Sequence, residues 1–233
     1  MIHLKEIRES LLQLVFPHVC SGCGSDLLSV ESSLCLRCID ALPETGFEKH
    51  ENNPVEKTFW GRLSLESAAS CYYFTKESLV QHLMHQFKYK QNKELGLQLG
   101  RMMGYQLMHA GRFKVDALIP LPLFPGKEKR RGYNQSVLLC EGIADSLKIP
   151  VFNDVIIRPE HTDTQTKKGR IERWKNMEGK FFLIKPEKIE GMHLLLIDDV
   201  VTTGATLEAC GAELLKTDNV KLSIATLCFA SRI

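Results

Sequence analysis

Leu194-Leu195-Leu196-Ile197-Asp198-Asp199-Val200-Val201-Thr202-Thr203-Gly204-Ala205-Thr206 is the stretch that decides the fold. Four consecutive apolar residues ending at an acidic pair fit a strand buried on both faces of a parallel sheet. The Thr/Gly turn and the helical spacing of Leu207, Cys210, Leu214 and Leu215 predict a strand, a turn and a helix starting near Thr203. Such a unit cradles anions, because the unpaired N–H groups of the first helical turn and the positive end of its dipole face the loop. Gly204 lets the backbone approach closely, and the loop from Thr202 and Thr203 through Ala205 to Thr206 adds N–H and hydroxyl donors. No Gly-Lys-Ser/Thr follows the turn, so this is not a Walker loop.

A phosphate explains the loop but not the acids beside it. A sugar between them does, since carboxylates accept hydrogen bonds from vicinal hydroxyls while a phosphate sits further along in the turn. Ribose 5-phosphate meets both requirements. The stretch resembles the phosphoribosyl pyrophosphate (PRPP) motif of type I phosphoribosyltransferases. That resemblance implies that Asp198 and Asp199 hold the ribose hydroxyls and that Thr202, Thr203, Gly204, Ala205 and Thr206 hold the 5′-phosphate.

Outward from this centre, strand and helix patterns alternate. Ala68–Phe74, Val115–Ile119, Val151–Ile157, Phe181–Ile184 and Leu222–Cys228 read as further strands. Helices are predicted over Lys76–Phe87, Lys93–Ala110 and Gln135–Leu147, each with apolar residues at helical spacing, and Lys88-Tyr89-Lys90 as a basic turn. Alternation of this kind implies right-handed crossovers and a parallel sheet. Ligands of such sheets bind at the carboxyl ends of the strands, where both the loop at Pro120-Leu121-Pro122-Leu123 and the Asp198 loop fall.

The amino-terminal part is of another kind. Residues 2–15 suit a short amphipathic helix ended by Pro17. Cys20-Ser-Gly-Cys23 and Cys35-Leu-Arg-Cys38 then form two C-x₂-C knuckles, a spacing that suits a closed tetrahedral Cys₄ site for structural Zn²⁺. A disulfide reading conflicts with a reducing compartment, and His18 flanks the set. The expected organisation is a helix and zinc module over residues 1–42, a Pro/Gly/Asn-rich linker over 43–64, and one α/β domain over 65–233.

The chain of 233 residues has a net charge of only +2, so affinity for nucleic acid must come from a local patch. No apolar run reaches membrane-spanning length, and Lys5, Glu6, Arg8 and Glu9 break any signal-peptide core. A cytoplasmic location is expected.

Three blocks in order carry a second resemblance: Pro120-Leu-Pro122 with Arg131-Gly-Tyr-Asn-Gln135, then Arg158, Gln165, Arg170, Arg173 and Asn176, then Asp198-Asp199 to Thr206. With the cysteine knuckles and the Phe87-Lys88-Tyr89 turn, they resemble the ComF family of bacterial competence proteins, which includes the GntX-type proteins. The resemblance covers nearly the whole chain. It implies a type I phosphoribosyltransferase-like parallel sheet with helices on both faces, preceded by a small Cys₄ zinc module. It also implies that Leu121 and Pro122 meet the pyrophosphate, that the 158–176 segment is a flap over PRPP, and that the protein serves uptake of transforming single-stranded DNA, together with other competence proteins. The same loops resemble the catalytic domain of glutamine amidophosphoribosyltransferase, but nothing in these 233 residues resembles that enzyme's amino-terminal nucleophilic cysteine and glutaminase domain, so glutamine-driven amination is not expected.

Phosphoribosyl transfer breaks the bond between C1 and pyrophosphate, so cations must take up the leaving group's charge in a dry pocket. Lys88, Arg131, Arg170 and Arg173 can supply that charge, with Mg²⁺ held mainly by pyrophosphate and ribose oxygens. Two functions fit these loops: transfer of phosphoribosyl to an unidentified acceptor, and a DNA-handling or nucleotide-sensing protein that uses the site for binding only. Lys127–Arg131 and residues 158–185 are both strongly basic, the latter with eight Lys/Arg against four acids. If single-stranded DNA uses this rim, Tyr133 and Trp174 are the expected stacking platforms. The alternative is that the same charges serve the pyrophosphate alone.

Overall fold

Six strands, β1 (Ser67–Tyr73), β2 (Ala117–Pro120), β3 (Ile156–Ile157), β4 (Phe182–Leu183), β5 (His193–Val201) and β6 (Lys221–Phe229), organise the computed structural model. It describes residues 18–26, 28, 32–159 and 181–230. Four of them make one parallel sheet in the order β1-β6-β5-β2, while β3 and β4 form a separate antiparallel ribbon. The parallel arrangement follows from composition. Leu194–Ile197 of β5, Leu118 and Ile119 of β2 and Ile224 of β6 are fully buried, and a sheet with no wet face needs helices rather than hairpins between its strands.

The helices are α1 (Leu36–Asp40), α2 (Pro54–Phe59), α3 (Leu79–Tyr89), α4 (Lys93–Ala110), α5 (Pro125–Arg131), α6 (Gln135–Leu147) and α7 (Ala205–Leu214). Together they cover the sheet on both faces: α6 lies on β2 and β5 with α4 packed over it, α7 lies against β5 and β6, and α2 lies against β1. In α4 the positions Leu95, Leu99, Met103 and Leu107 recur every fourth residue and are all buried. Asn92 caps its start by accepting from Leu95 N–H, and Gly111 ends it with φ 69°. No helix among the described residues is long and apolar enough to cross a membrane.

The structure corrects several expectations. Residues 43–64 are not a linker. Tyr73 N–H donates to Pro43 O and Thr45 N–H to Cys71 O, both at 2.9 Å, so this stretch caps the outer edge of β1. Asn53 then starts α2, accepting from Val55 and Glu56 N–H while its amide donates to Phe47 O, His50 O and Ala68 O. With Val55 and Phe59 buried, the segment belongs to the core. The helix expected from Lys76 begins at Leu79, because Ser78 caps it, and runs on through Lys88 and Tyr89, which form its last turn rather than a free basic turn. The basic run 127–131 is itself helical: Pro125 presets the first turn and Gly132, with φ 83°, stops α5. Only a single parallel bridge at Val151 and the two-residue β3 replace the strand expected over 151–157. The helix expected at 2–15 lies outside the described residues.

The interface between α4 and α6 is unusually close. A Cβ on Gly142 would be pressed onto Leu97 O and would lie 2.7 Å from Arg101 N, and one on Gly100 would lie 2.5 Å from Leu139 O. These obstacles are backbone atoms in packed helices and cannot swing aside. Gly142→Ala should therefore destabilise the fold by about 1–3 kcal/mol, although alanine is the better helix former by roughly 1 kcal/mol. A urea midpoint equal to or above that of the unsubstituted protein would refute the close-packing account.

Candidate functional site

β5 does not end before the acidic pair but runs through it, with Asp198 opposite Thr226 and Val200 opposite Cys228 on β6. Side chains alternate along a strand, so the adjacent acids point to opposite sides of the sheet. Each meets its own partner. Asp198 accepts from Ser136 Oγ of α6 at 3.2 Å and from Asp199 N–H at 2.8 Å. Asp199 pairs with Lys88 Nζ at the end of α3, 2.9 Å away. Burial, and the negative charge of Asp199, push the Asp198 carboxyl up to about 7, against weaker opposing pulls from the Asp199 N–H, Lys88 and Ser136.

The turn beyond the acids is open. Thr202, Thr203, Ala205 and Thr206 are exposed; the N-cap Gly204 offers no side chain, and Thr203 Oγ1 accepts from Ala205 N–H at 3.4 Å in the first turn of α7, whose N–H groups face the loop. Gly204 is buried with φ 73°, and a Cβ there would lie 2.7 Å from the Phe59 ring and 3.1 Å from Thr58. The glycine is thus required by its left-handed backbone and by α2 behind it, not only by what approaches from solvent. Arg62 braces the same turn, donating to Thr203 O at 2.9 Å and to Thr58 O at 3.0 Å and pairing with Glu208.

The second predicted loop follows β2. Leu121 N–H donates to Ile197 O at 2.9 Å and Leu121 O accepts from Asn134 Nδ2 at 3.0 Å, so this backbone is tied to β5 on one side and to the start of α6 on the other. The Leu121 N–H is therefore already engaged, and Pro122 has none to give. Pro122 and Arg158 line a cavity of about 420 Å³ beside this loop. Arg131 stands at the end of α5, donating to Gln135 Oε1 at 2.5 Å, with its guanidinium 5.6 Å from the centre of the Tyr89 ring. Its Nε is buried and has no partner among the described residues. Arg130, Arg131, Lys88, Tyr89 and Gln91 surround a cleft of about 430 Å³. Lys88 and Arg131, far apart in sequence, therefore line one cleft, and Lys88 also pairs with Asp199. Arg170, Arg173 and Trp174 lie outside the described residues.

One expectation fails on burial. Tyr133 is only 8% exposed, its hydroxyl donates to Phe87 O, and its ring lies 6.1 Å from the Phe87 ring, so it is not available to stack on a base. A cavity of about 620 Å³ opens at the other edge of the sheet, at the starts of β1 and β5, and none of the predicted site residues lines it. Ser136 and, beyond its place in the quoted 131–135 block, Asn134 were not anticipated as site residues, nor were Phe59 and Arg62. The available signal for the first two was a pair of small polar residues opening an otherwise apolar helix.

Cys20, Cys23, Cys35 and Cys38 converge as their spacing predicts, all four sulfurs lying within 4.8 Å of one another and those of Cys23 and Cys35 3.7 Å apart. A tetrahedron with metal–sulfur bonds of about 2.3 Å has edges of about 3.8 Å, so the set can hold a metal ion. Burial pushes the Cys20 thiol up, but N–H groups of Cys35, Cys23 and Gly22 outweigh it and bring Cys20 down to about 6. His18 bonds Ser32 O at 2.8 Å and stands outside the set. The cluster is docked on the sheet domain: Ser21 O contacts His82 Nε2 of α3 at 3.0 Å, and Ser33 N–H donates to Gln98 Oε1 of α4 at 2.6 Å.

Comparison with known proteins places the chain among relatives of one kind. Residues 134–233 match the family model of the phosphoribosyl transferase domain. The DNA utilization protein YhgH of Escherichia coli O157:H7 is 30% identical over 219 residues, covering 90% of this chain and 89% of that protein. Competence protein F of Haemophilus influenzae is 28% identical over 205 residues, covering 81% and 86% of the two chains. Competence protein ComFC of Bacillus subtilis is 28% identical over 199 residues, covering 85% and 78%.

The acid pair makes stability depend on pH. Folded Asp198 keeps its proton to about pH 7, whereas the unfolded group releases it near 3.8. Its contribution is complete below the lower value and is lost as pH rises through the upper one. Without ligand, the melting temperature should fall between about pH 4 and pH 7, and Asp198→Asn, which keeps both acceptor contacts, should flatten that fall. An unchanged slope in the variant would assign the titration to another group.

Proposed function

Because this chain belongs to the ComF family of competence and DNA-utilization proteins, we propose that its carboxyl-edge site binds PRPP and transfers phosphoribosyl to an acceptor during the handling of single-stranded DNA in the cytoplasm. The observation that carries this reading is the meeting of two engaged acids with an open phosphate-type turn: Asp198 on Ser136 and Asp199 on Lys88, followed by the exposed Thr202–Thr206 loop. The 5′-phosphate sits on the first-turn N–H groups of α7 and the threonine hydroxyls. The ribose hydroxyls donate to the carboxylates. Hydroxyl donors stabilise the ionised form, so ligand binding draws the proton off Asp198.

The pyrophosphate then faces Lys88 and Arg131, with Arg170 and Arg173 as further candidates. Mg²⁺ arriving on the pyrophosphate and ribose oxygens would supply additional neutralisation of the leaving group, with few protein ligands needed. The unpartnered Nε of Arg131 is a donor available to a pyrophosphate oxygen. Lys88 pairs with Asp199 while its remaining N–H groups stay available to an anion beside it.

Titration of Mg²⁺-PRPP by calorimetry tests the reading. Asp198→Asn with Asp199→Asn should weaken binding by about 2–4 kcal/mol, taking charged hydrogen bonds at roughly 1.5–3 kcal/mol each and allowing for their coupling. Equal affinity in the folded double variant would remove the acids from the ribose. Pyrophosphate release on adding bases, nucleosides or DNA ends separates transfer from binding alone.

The cysteine cluster we assign to structural Zn²⁺, since four thiols leave no open coordination position. One zinc per chain is expected from elemental analysis of freshly purified, reduced protein. Stripping the metal should lower the melting temperature, because the cluster is hydrogen-bonded to α3 and α4. Metal-free protein of undiminished stability would count against the assignment.

A further inference from the structure

We propose that a single strand of nucleic acid docks in the cleft between the end of α3 and α5, with Tyr89 as the platform for a base and the α5 cations on its phosphates. This rests on the DNA-handling half of the function proposed above, not on phosphoribosyl transfer.

The cleft of about 430 Å³ presents three cations, one aromatic ring and one amide, with no carboxylate in its lining. Tyr89 is 56% exposed although it ends a helix whose other large apolar residues are mostly buried. The guanidinium of Arg131 over its ring extends that surface into a stack, and nucleobases stack on both rings and guanidinium planes. Beyond the cleft, Lys90, Lys127 and Lys129 are exposed, and like Arg130 they pair with no carboxylate among the described residues. Such a run of unpaired positive charge exceeds what one small anion needs and suits a backbone of several phosphates. The buried, unpartnered Nε of Arg131 supplies a donor within the same lining.

A single strand is favoured over a duplex, because only an unpaired base can lay its face on Tyr89 without first being unstacked. Stacking on a ring and contacts to phosphates carry no base identity, so binding should tolerate sequence. The cleft also shares Lys88 and Arg131 with the neighbouring acid site, and a strand lying there places its phosphates against the same cations as pyrophosphate.

Fluorescence anisotropy of a labelled oligothymidylate tests this, across a salt series, with PRPP affinity measured on the same samples. Tyr89→Ala should weaken oligothymidylate binding about tenfold or more, while Tyr89→Phe stays near the unsubstituted protein and PRPP affinity does not change. Arg130→Glu should weaken binding and lower the log–log salt slope by about 0.7 for each phosphate that is no longer neutralised. If the unsubstituted protein binds no oligothymidylate even at low salt, the DNA-handling reading itself falls. If it binds, and Tyr89→Ala and Arg130→Glu bind as tightly, the docking site is overturned while that reading stands. Equal affinity for duplex DNA or for thymidine monophosphate would likewise overturn docking of a single strand.

Discussion

A strand buried on both faces cannot carry two adjacent carboxylates to its end unless each face supplies a partner. The side-chain period of two sends Asp198 and Asp199 in opposite directions, and an ionised carboxyl left without a partner in such a place is strongly disfavoured. The site depends on this constraint. α6 brings Ser136 to one acid and α3 brings Lys88 to the other, so the positions of two helices, not the loop alone, decide what the acid pair can do.

Those two helices are fixed by different means. The start of α6 is tied to β2 through Asn134 and Leu121 O, and its body is clamped to α4 where Gly100 and Gly142 bring backbones together. α3 is held from outside the sheet, by Tyr133 on Phe87 O at its end and by the Cys₄ cluster, where Ser21 O meets His82. The cluster sits against the helix that ends in Lys88. The cysteine knuckles therefore contact the helix that carries Lys88, although the sulfurs and the carboxylates belong to separate sites.

Much of this was legible in the sequence because it follows from local period and composition. The apolar run Leu194–Ile197, the four-residue spacing of α4 and the doubled C-x₂-C are local patterns, and the structure has a strand, a helix and a four-cysteine cluster at those places. Residues 43–64 were misread for an equally physical reason. Their Pro, Gly and Asn content looks like a linker, yet Asn53 uses its amide three times to hold Phe47, His50 and Ala68 carbonyls, and only the fold shows those acceptors. The same holds for Tyr133, which looks like a surface ring in a basic stretch and is covered once α3 packs beside it. Partners such as Ser136 for Asp198 lie 62 positions apart in the chain and leave no periodic trace.

The charge layout leads one step further. Lys88 stands between Asp199 and the cleft of Arg130 and Arg131, so it belongs to two electrostatic environments. An ion pair only partly out of water is weak, but its strength grows as solvent is displaced around it. An anion entering the cleft would compete with Asp199 for Lys88, and a weaker pull from Lys88 would leave Asp198 more inclined to keep its proton. A ligand whose hydroxyls donate to those acids acts the other way. The two surfaces are thus linked through one lysine, and the sign of the linkage depends on whether the arriving group brings only negative charge or also donors for the carboxylates.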